Sequence, residues 1–187
     1  MTSSVVQIRD RRGRVIGAGV ACEPRGFVLT CYHVFADAIG IPRDGSPITS
    51  GTVPISVPGS EETVAAELVL GSPLDQLDLA LLRVDPERML RGVVPRPLCD
   101  IPLNRGLPFR CYGFPAGYDD GVWAYGSLQD ALGWQRFQAE VKHLGPGFSG
   151  APAEELQMGR VVGLMSAHDP ARAAGFVITV AQIRAFT

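Results

Sequence analysis

The sequence predicts an all-β fold, an antiparallel sandwich or barrel. Short β-rich runs alternate with glycine and proline, and long helical periodicity is absent. The chain has 187 residues, of which 22 are glycine, 15 are proline and 46% are hydrophobic. A chain of this length can bury a core in one domain or in two closely packed halves. We therefore expect many short strands joined by tight turns.

The strands are predicted where β-branched and aromatic residues cluster between turn residues. In chain order these runs are RVIGAGVAC, GFVLT, TVAAELVLG, DLALLRV, PFRCYGFP, WQRFQAEV, GRVVGLMSA and GFVITV. EPRG at 23–26 predicts a hairpin turn between the first two runs. VFADAIG at 34–40 predicts a single helical turn, and the closing VAQIRAFT predicts a helix of about two turns. Residues 41–60 and 113–127 have the composition of loops.

Composition and charge exclude several classes of partner. A formal charge of -2 offers no basic surface for nucleic acid. No apolar run approaches the length of a membrane span, and the first residues lack the apolar core of a secretory signal. We therefore expect a cytoplasmic protein with reduced thiols and without nucleic-acid or membrane partners.

The cysteines do not predict a metal site. Cys22, Cys31, Cys99 and Cys111 form no CxxC pair and no cysteine–histidine ligand spacing. We expect neither a metal nor an organic cofactor. Buried free thiols are the preferred interpretation, and a disulfide between Cys22 and Cys31 across a hairpin is the alternative.

Three separated residues supply the groups that acyl transfer needs: a nucleophile, a base and a carboxylate that orients the base. Ser149 lies in LGPGFSGAP, His33 follows the apolar run GFVLT, and Asp78 directly precedes the run LALLRV. Asp78 is preferred to Asp75 because it adjoins the strand, where burial against a histidine can be enforced. Taken singly, His33 could be a half-buried structural histidine and Ser149 the polar residue of an ordinary loop.

The glycines around the serine predict an unusual turn. Gly147 and Gly150 permit backbone conformations that other residues resist. Such a turn can aim the N–H groups of Gly147 and Ser149 at one point, where they would stabilise an oxyanion.

These motifs give the chain its resemblance to the trypsin-like (chymotrypsin-fold) serine peptidases, closest in style to bacterial HtrA-like members that are not secreted. The motifs are GAGVACEPRGFVLTCYHV, DLALLRV, CYGFPAG, GPGFSGAP, RVVGLMSA and GFVITVAQIRAF. The resemblance implies two packed six-stranded β-barrels and a short C-terminal helix in one peptidase domain over residues 1–187. The barrels are expected at about 1–95 and 96–187, within a longer protein.

The resemblance also implies the roles of the site residues. His33 would be the general base and acid, Asp78 would orient it, and Ser149 would attack the substrate carbonyl through an acyl-enzyme. The N–H groups of Gly147 and Ser149 would form the oxyanion hole. The substrate is then a protein or peptide.

The chain departs from the family pattern beside the serine. Phe148 stands where digestive and clotting members have an aspartate that pairs with a new amino terminus, so activation by trimming is not expected. Ala151 stands where the family usually has glycine, and no cysteine follows His33. Control is expected through a regulatory partner or a fused domain, or is absent.

The family pattern places the primary specificity pocket around two short segments. Its base would involve His143 with its neighbours Lys142 and Leu144, and its wall would involve Met165, Ser166, Ala167 and His168. A small or apolar preference is favoured. The alternative is an acidic preference, because two histidines and a lysine would pair with a carboxylate. No acidic residue stands where selectivity for a basic side chain would require one, so a basic preference is disfavoured.

Two other functions compete with peptide hydrolysis. Phe148 and Ala151 favour a catalytically silent peptidase fold that serves as a binding module. A serine esterase of another fold is disfavoured, because such enzymes carry Gly-x-Ser-x-Gly and the chain order Ser, Asp, His.

Overall fold

The computed structural model describes residues 4–42, 47–73, 75–132, 136–142, 144–169 and 174–187. The strands in those residues are β1 Val5–Arg9, β2 Val15–Cys22, β3 Phe27–Thr30, β4 Thr52–Ser56, β5 Val64–Ser72, β6 Leu79–Arg83, β7 Pro108–Gly113, β8 Val122–Leu132, β9 Arg136–Val141, β10 Pro152–Glu155, β11 Val161–Asp169 and β12 Ala174–Thr179. The helices are α1 Tyr32–Ile39 and α2 Val180–Phe186.

The strands close into two antiparallel barrels. The first has the order β1-β2-β3-β6-β5-β4, and the second has the order β10-β11-β12-β9-β8-β7. Closure removes free sheet edges from both halves of the chain. The all-β prediction and the pair of six-stranded barrels with a C-terminal helix are confirmed. The division of the chain between residues 95 and 96 stays a prediction.

Each predicted strand run contains an observed strand, and residues 23–26 form the turn between β2 and β3. The helix after β3 is longer than the predicted single turn, because it begins at Tyr32 and ends at Ile39. The closing helix α2 begins with a capping box, in which Thr179 and Gln182 exchange side-chain-to-backbone hydrogen bonds.

The two loop predictions were wrong in part. Residues 41–60 contain β4, which pairs with both β1 and β5, and residues 113–127 contain the start of β8. Pro54 lies within β4 and disguises it, because proline lacks an N–H donor and is depleted from strands. Neighbouring strands, rather than local composition, order both segments.

The barrels share an apolar contact. One buried cluster draws Val20 and Leu29 from the first barrel, Leu164 and Ile178 from the second, and Ile183 from α2. Burial of such side chains stabilises the fold by about 1.5 to 3 kcal/mol each. This contact fixes the end of β3 near β11, and the candidate site lies where these strands meet.

Two other observations bear on the sequence predictions. The four cysteines are free, with Cys22, Cys31 and Cys111 buried, so the Cys22–Cys31 disulfide considered above is not formed. Burial raises the pKa of Cys22 to about 11 and that of Cys111 to about 12. In the part of the chain described, neither helix is long and apolar enough to cross a membrane.

Candidate active site

His33 and Asp78 meet in the first barrel. The imidazole Nδ1 lies 3.0 Å from Oδ1 and 2.9 Å from Oδ2 of Asp78. Asp78 is fully buried and His33 is 8% exposed, so the pair is largely shielded from water. A carboxylate at Nδ1 favours the tautomer with a proton there, which leaves Nε2 as the lone-pair nitrogen.

Asp78 also holds the start of α1, the helix that carries His33. Cys31 is the N-cap residue of that helix and makes no side-chain capping bond. Instead, Asp78 Oδ1 accepts the His33 N–H at 3.1 Å, and the Asp78 carbonyl accepts the Tyr32 N–H at 3.3 Å. Carboxylates are favourable at helix N-termini because unpaired N–H groups concentrate there. One aspartate therefore orients both the imidazole and the helix beneath it.

The second barrel contributes a third partner to this pair. Ser166 on β11 is buried and donates its hydroxyl to Asp78 Oδ2 at 2.7 Å. The family pattern predicts Ser166 on the wall of the substrate pocket, whereas its observed contact is with Asp78. Asp75, the alternative to Asp78, has no such contacts in the described residues.

Ser149 lies on a tight loop between β9 and β10 whose shape depends on two glycines. Gly147 has φ +102° and Gly150 has φ +83°, both in the left-handed region. A Cβ at Gly147 would overlap the Phe114 carbonyl, and one at Gly150 would overlap the Ala18 carbonyl. The glycines predicted to shape this turn are thus required by backbone packing as well as by torsion.

Backbone hydrogen bonds dock the Ser149 loop on both barrels. The Ser149 carbonyl accepts the Ala18 N–H at 2.9 Å, which ties the loop to β2. The Gly150 N–H donates to the Met165 carbonyl at 2.8 Å, which ties it to β11. Ser149 itself is partly exposed.

One acceptor joins the histidine and serine halves of the site. The Met165 carbonyl that accepts the Gly150 N–H also accepts the Cys31 thiol at 3.2 Å. Cys31 precedes His33 by two residues, and Gly150 follows Ser149. The same β11 oxygen therefore positions both segments, and the structure brings His33, Asp78 and Ser149 into one region between the barrels.

The loop leaves two N–H groups available. Within the described residues, neither the Gly147 N–H nor the Ser149 N–H donates a hydrogen bond. The Gly147 carbonyl, in contrast, accepts from Phe114 at 3.0 Å. Paired donors on a rigid turn are what stabilisation of an oxyanion requires.

Phe148 is accommodated in the second barrel by Gly113, a glycine for which the sequence predicted no role. The Phe148 side chain is 2% exposed and packs in that barrel's core. Gly113, at the end of β7, leaves the space for it, since a Cβ there would come within 2.5 Å of the phenyl ring. A glycine inside the strand-like CYGFP was the available signal, because such glycines mark close approaches.

The predicted specificity-pocket residues are only partly described. Leu144 and Met165 both approach Gly175 on β12, so an apolar pair lies beside a residue without a side chain. Lys142 is exposed. His143 lies outside the described residues, and so do the side chains of Ala167 and His168 on β11.

Three donors at the site have the spacing of metal ligands. Atoms of Cys31, His33 and Asp78 lie within 4.8 Å of one another. Each is already engaged in a hydrogen bond. Burial and the Asp78 charge also raise the pKa of the Cys31 thiol well above its usual range, which disfavours the thiolate that a metal prefers.

Comparison with known families gives one match over most of the chain. Residues 17–164 match the family model described as a trypsin-like peptidase domain. This range includes the segments that carry His33, Asp78 and Ser149. No curated protein sequence matches the chain.

Solved structures share the fold at low sequence identity. The Rv3671c protease from M. tuberculosis, in its active form, has a TM-score of 0.73 and 22% identity over 98% of this chain and 78% of that one. The serine endoprotease from Yersinia pestis has a TM-score of 0.70 and 20% identity over 97% and 60%. The HtrA-type protease AlgW, solved with a tripeptide, has a TM-score of 0.71 and 20% identity over 95% and 56%.

Proposed function

This chain belongs to the trypsin-like peptidase family and is a serine endopeptidase, and on that premise we propose that His33, Asp78 and Ser149 are its catalytic triad. The observation that carries the proposal is the shared Met165 carbonyl, which holds the segments of His33 and Ser149 against the same strand. The pairing of His33 Nδ1 with a buried Asp78 supports the assignment of base and orienting carboxylate.

In the proposed reaction, Ser149 Oγ attacks the carbonyl carbon of the scissile peptide bond. His33 Nε2 takes the hydroxyl proton and then transfers it to the departing amine nitrogen as the C–N bond breaks. The product of this half is an ester between Ser149 and the acyl part of the substrate. Water then attacks that ester, with His33 accepting and returning its proton, and releases the carboxylate product.

Asp78 stabilises the imidazolium that forms in both halves of the reaction. Its carboxylate holds Nδ1 directly, and the Ser166 hydroxyl fixes the carboxylate from the other side. Because the pair is buried, their attraction is weakly screened.

The Gly147 and Ser149 N–H groups are the proposed oxyanion hole. Both lack another acceptor in the described residues, so no hydrogen bond must break when charge develops on the substrate oxygen. Removing one such donor typically lowers kcat by about 100- to 1,000-fold. The Phe148 ring is fixed in the core beside Gly113 and so holds the loop in place. In this proposal the loop therefore does not need to pair with a newly formed amino terminus.

We also propose a small or apolar side chain before the cleaved bond. Leu144 and Met165 beside Gly175 supply an apolar contact, and the exposed Lys142 gives no support to an acidic preference. Regulation by a partner or fused domain and a cytoplasmic location stay predictions from the sequence.

Fluorophosphonate labelling of the purified chain, read by intact mass, tests the triad directly. These probes react with a serine activated by its base and oxyanion donors. We expect one adduct on the parent protein and none on Ser149→Ala or His33→Ala. Ser127→Ala is the matched control, because that half-buried serine lies on β8 and its hydroxyl oxygen accepts from Gln129 Nε2 at 3.1 Å, away from the proposed triad.

Absence of an adduct on the parent protein would overturn the proposed chemistry and favour the silent binding module. An adduct that persists in Ser149→Ala would assign the reactive serine elsewhere. Once labelling is established, a peptide library ranks residues before the cleaved bond, and strongest cleavage after aspartate or glutamate would contradict the apolar preference.

A further inference from the structure

A cavity lies between the barrels, and none of the proposed triad residues lines it. Its volume is about 500 Å³, within the range of roughly 300 to 1,000 Å³ typical of small-molecule sites. Both barrels and the segment between them contribute to its walls. Its lining combines arginine side chains with aromatic and apolar ones.

The cavity carries more positive than negative charge. Arg91, Arg96 and Arg110 line it together with two acids, Asp120 and Glu154. Three cations against two carboxylates leave a net charge of +1. A bound monoanion would neutralise the site.

The buried acid is already committed to two of the arginines. Glu154 is 4% exposed, and its Oε2 accepts from Arg110 Nε and Nη2 at 3.2 Å. Its Oε1 lies 3.9 Å from Arg96 Nη1. Arg91 is exposed and has no ion pair or hydrogen bond within the described residues. Its guanidinium is therefore available for an anion that enters the cavity.

An aromatic surface adjoins these charges. The Arg110 guanidinium lies 4.2 Å from the centroid of the Trp123 ring, and Tyr112 packs on that ring at 4.9 Å between centroids. Trp123 nevertheless remains 42% exposed. Val5 and Val57 add apolar wall from the first barrel. A large exposed indole beside fixed cations suits a ligand that has both an apolar body and an anionic end.

From this arrangement we propose that the cavity binds a small organic monoanion. Its carboxylate pairs with Arg91, and its aromatic or apolar body lies against Trp123. Arg96 and Arg110 are held by Glu154, so they present a preorganised positive wall. Guanidinium groups are well matched to carboxylates through paired N–H donors.

Two-dimensional ¹H–¹⁵N spectroscopy of the Ser149→Ala chain tests the site without relying on activity. The indole N–H signals of the two tryptophans are assigned with Trp134→Phe. The probe is 3-phenylpropionate, and we expect a saturable shift of the Trp123 signal with a Kd on the order of 1 mM or tighter. The neutral amide, 3-phenylpropanamide, should bind at least about tenfold more weakly because it lacks the charge.

Arginine variants locate the carboxylate. Arg91→Ala should weaken binding of the acid at least about fivefold. Arg88→Ala is the matched control, because Arg88 is an exposed arginine whose nearest acid is Asp85 at 3.9 Å, away from this cavity. Neither substitution removes a buried contact, so folding is expected to be retained in both.

Three results would overturn the proposal: no saturable shift at Trp123, equal binding of acid and amide, or equal binding by Arg91→Ala and the parent. A peptide could also present a carboxylate, so acetyl-Glu-Phe-amide is titrated in parallel. Tighter binding of that dipeptide than of the free acid would be a fourth such result, because the occupant would then be a peptide segment rather than a free small acid. The outcome is separate from fluorophosphonate labelling, since it requires no reactive serine.

Discussion

The two barrels hold their parts of the proposed triad by different means. In the first barrel, one buried carboxylate fixes both the His33 imidazole and, through the His33 backbone N–H, the start of its helix. In the second barrel, backbone hydrogen bonds and two left-handed glycines fix the loop of Ser149. The first arrangement depends on the charge of Asp78. The second depends on the absence of a Cβ at Gly147 and Gly150, where a methyl group would overlap neighbouring backbone.

This difference indicates how each half tolerates change. An isosteric substitution that removes the charge should disable the histidine half while leaving its fold. A Cβ added at Gly147 or Gly150 should displace the Ser149 loop, although the serine hydroxyl and the backbone N–H groups are all still present. The contacts of Ser166 and Cys31 with the opposite half show that the two arrangements are coupled through β11.

The largest effect is expected in the first barrel. Asp78→Asn preserves shape but removes the charge that stabilises the imidazolium and fixes its tautomer, so kcat should fall about 10⁴-fold. Asparagine also accepts the left-handed backbone that Asp78 adopts at φ +59°. Peptide turnover and the circular dichroism spectrum together check this result. Asp75→Asn is the matched control, and an equal loss in that variant would contradict the assignment of Asp78.

Gly147→Ala tests whether backbone shape is decisive in the second barrel. The new methyl would meet the Phe114 carbonyl and would strain a residue at φ +102°, so the loop should move and displace an oxyanion donor. We expect kcat to fall at least about 100-fold. Gly145→Ala, in the same loop, is the control because a Cβ there meets nothing within 4 Å. Similar activities of the two variants would show that loop shape does not limit the reaction.

Ser166→Ala sharpens the comparison by cutting the link from β11 to Asp78. Loss of one hydrogen bond to a charged acceptor should lower kcat/KM by roughly tenfold. Ser166→Thr retains the hydroxyl and should recover most of this loss. Steady-state kinetics of both variants provide the measurement, and failure of threonine to recover activity despite a stable fold would weaken the positioning role.

The smallest effect concerns stability. Each barrel has a carboxylate that accepts backbone hydrogen bonds in a hairpin turn, Glu155 in the second barrel and Asp10 in the first. Burial tends to raise the pKa of Glu155, but the backbone N–H groups of Gln157, Arg160 and Met158 lower it below its usual 4.5. Stability from such a group is present above the unfolded pKa and is lost as pH falls through the folded pKa. Glu155→Gln should therefore cost about 1 kcal/mol at neutral pH.

Denaturation at neutral pH and at about pH 3 checks whether this stabilisation is lost in acid. The difference between Glu155→Gln and the parent should narrow in acid, and Glu62→Gln is an exposed control. Asp10 offers the equivalent test in the first barrel. Burial also raises its pKa, and hydrogen bonds from Arg14 and Arg12 outweigh this and lower it. A constant difference across pH would contradict the proposed bracing by charge.

Much of the fold and the candidate triad could be predicted from the sequence. Strand runs and turns depend on local composition, and the order of His33, Asp78 and Ser149 is a linear pattern. Four strands, β1, β4, β8 and β10, lie outside the predicted runs and show the limit of local signals. Pro54 made β4 unrecognisable from composition, and the glycine-rich residues 113–121 did the same for the start of β8. Partner strands order both segments.

Local patterns in the sequence were sufficient to predict the all-β class and the main turns, and they identified the residues of the proposed triad as candidates. Only the tertiary structure decided how these parts are held. Ser166 bonds Asp78 across 88 residues of chain, and Cys31 shares an acceptor on β11 with Gly150. The cavity of Arg91 and Trp123 likewise joins residues from separate elements. Such contacts are set by barrel closure and by packing of one barrel on the other, which bring together residues that have no proximity in the sequence.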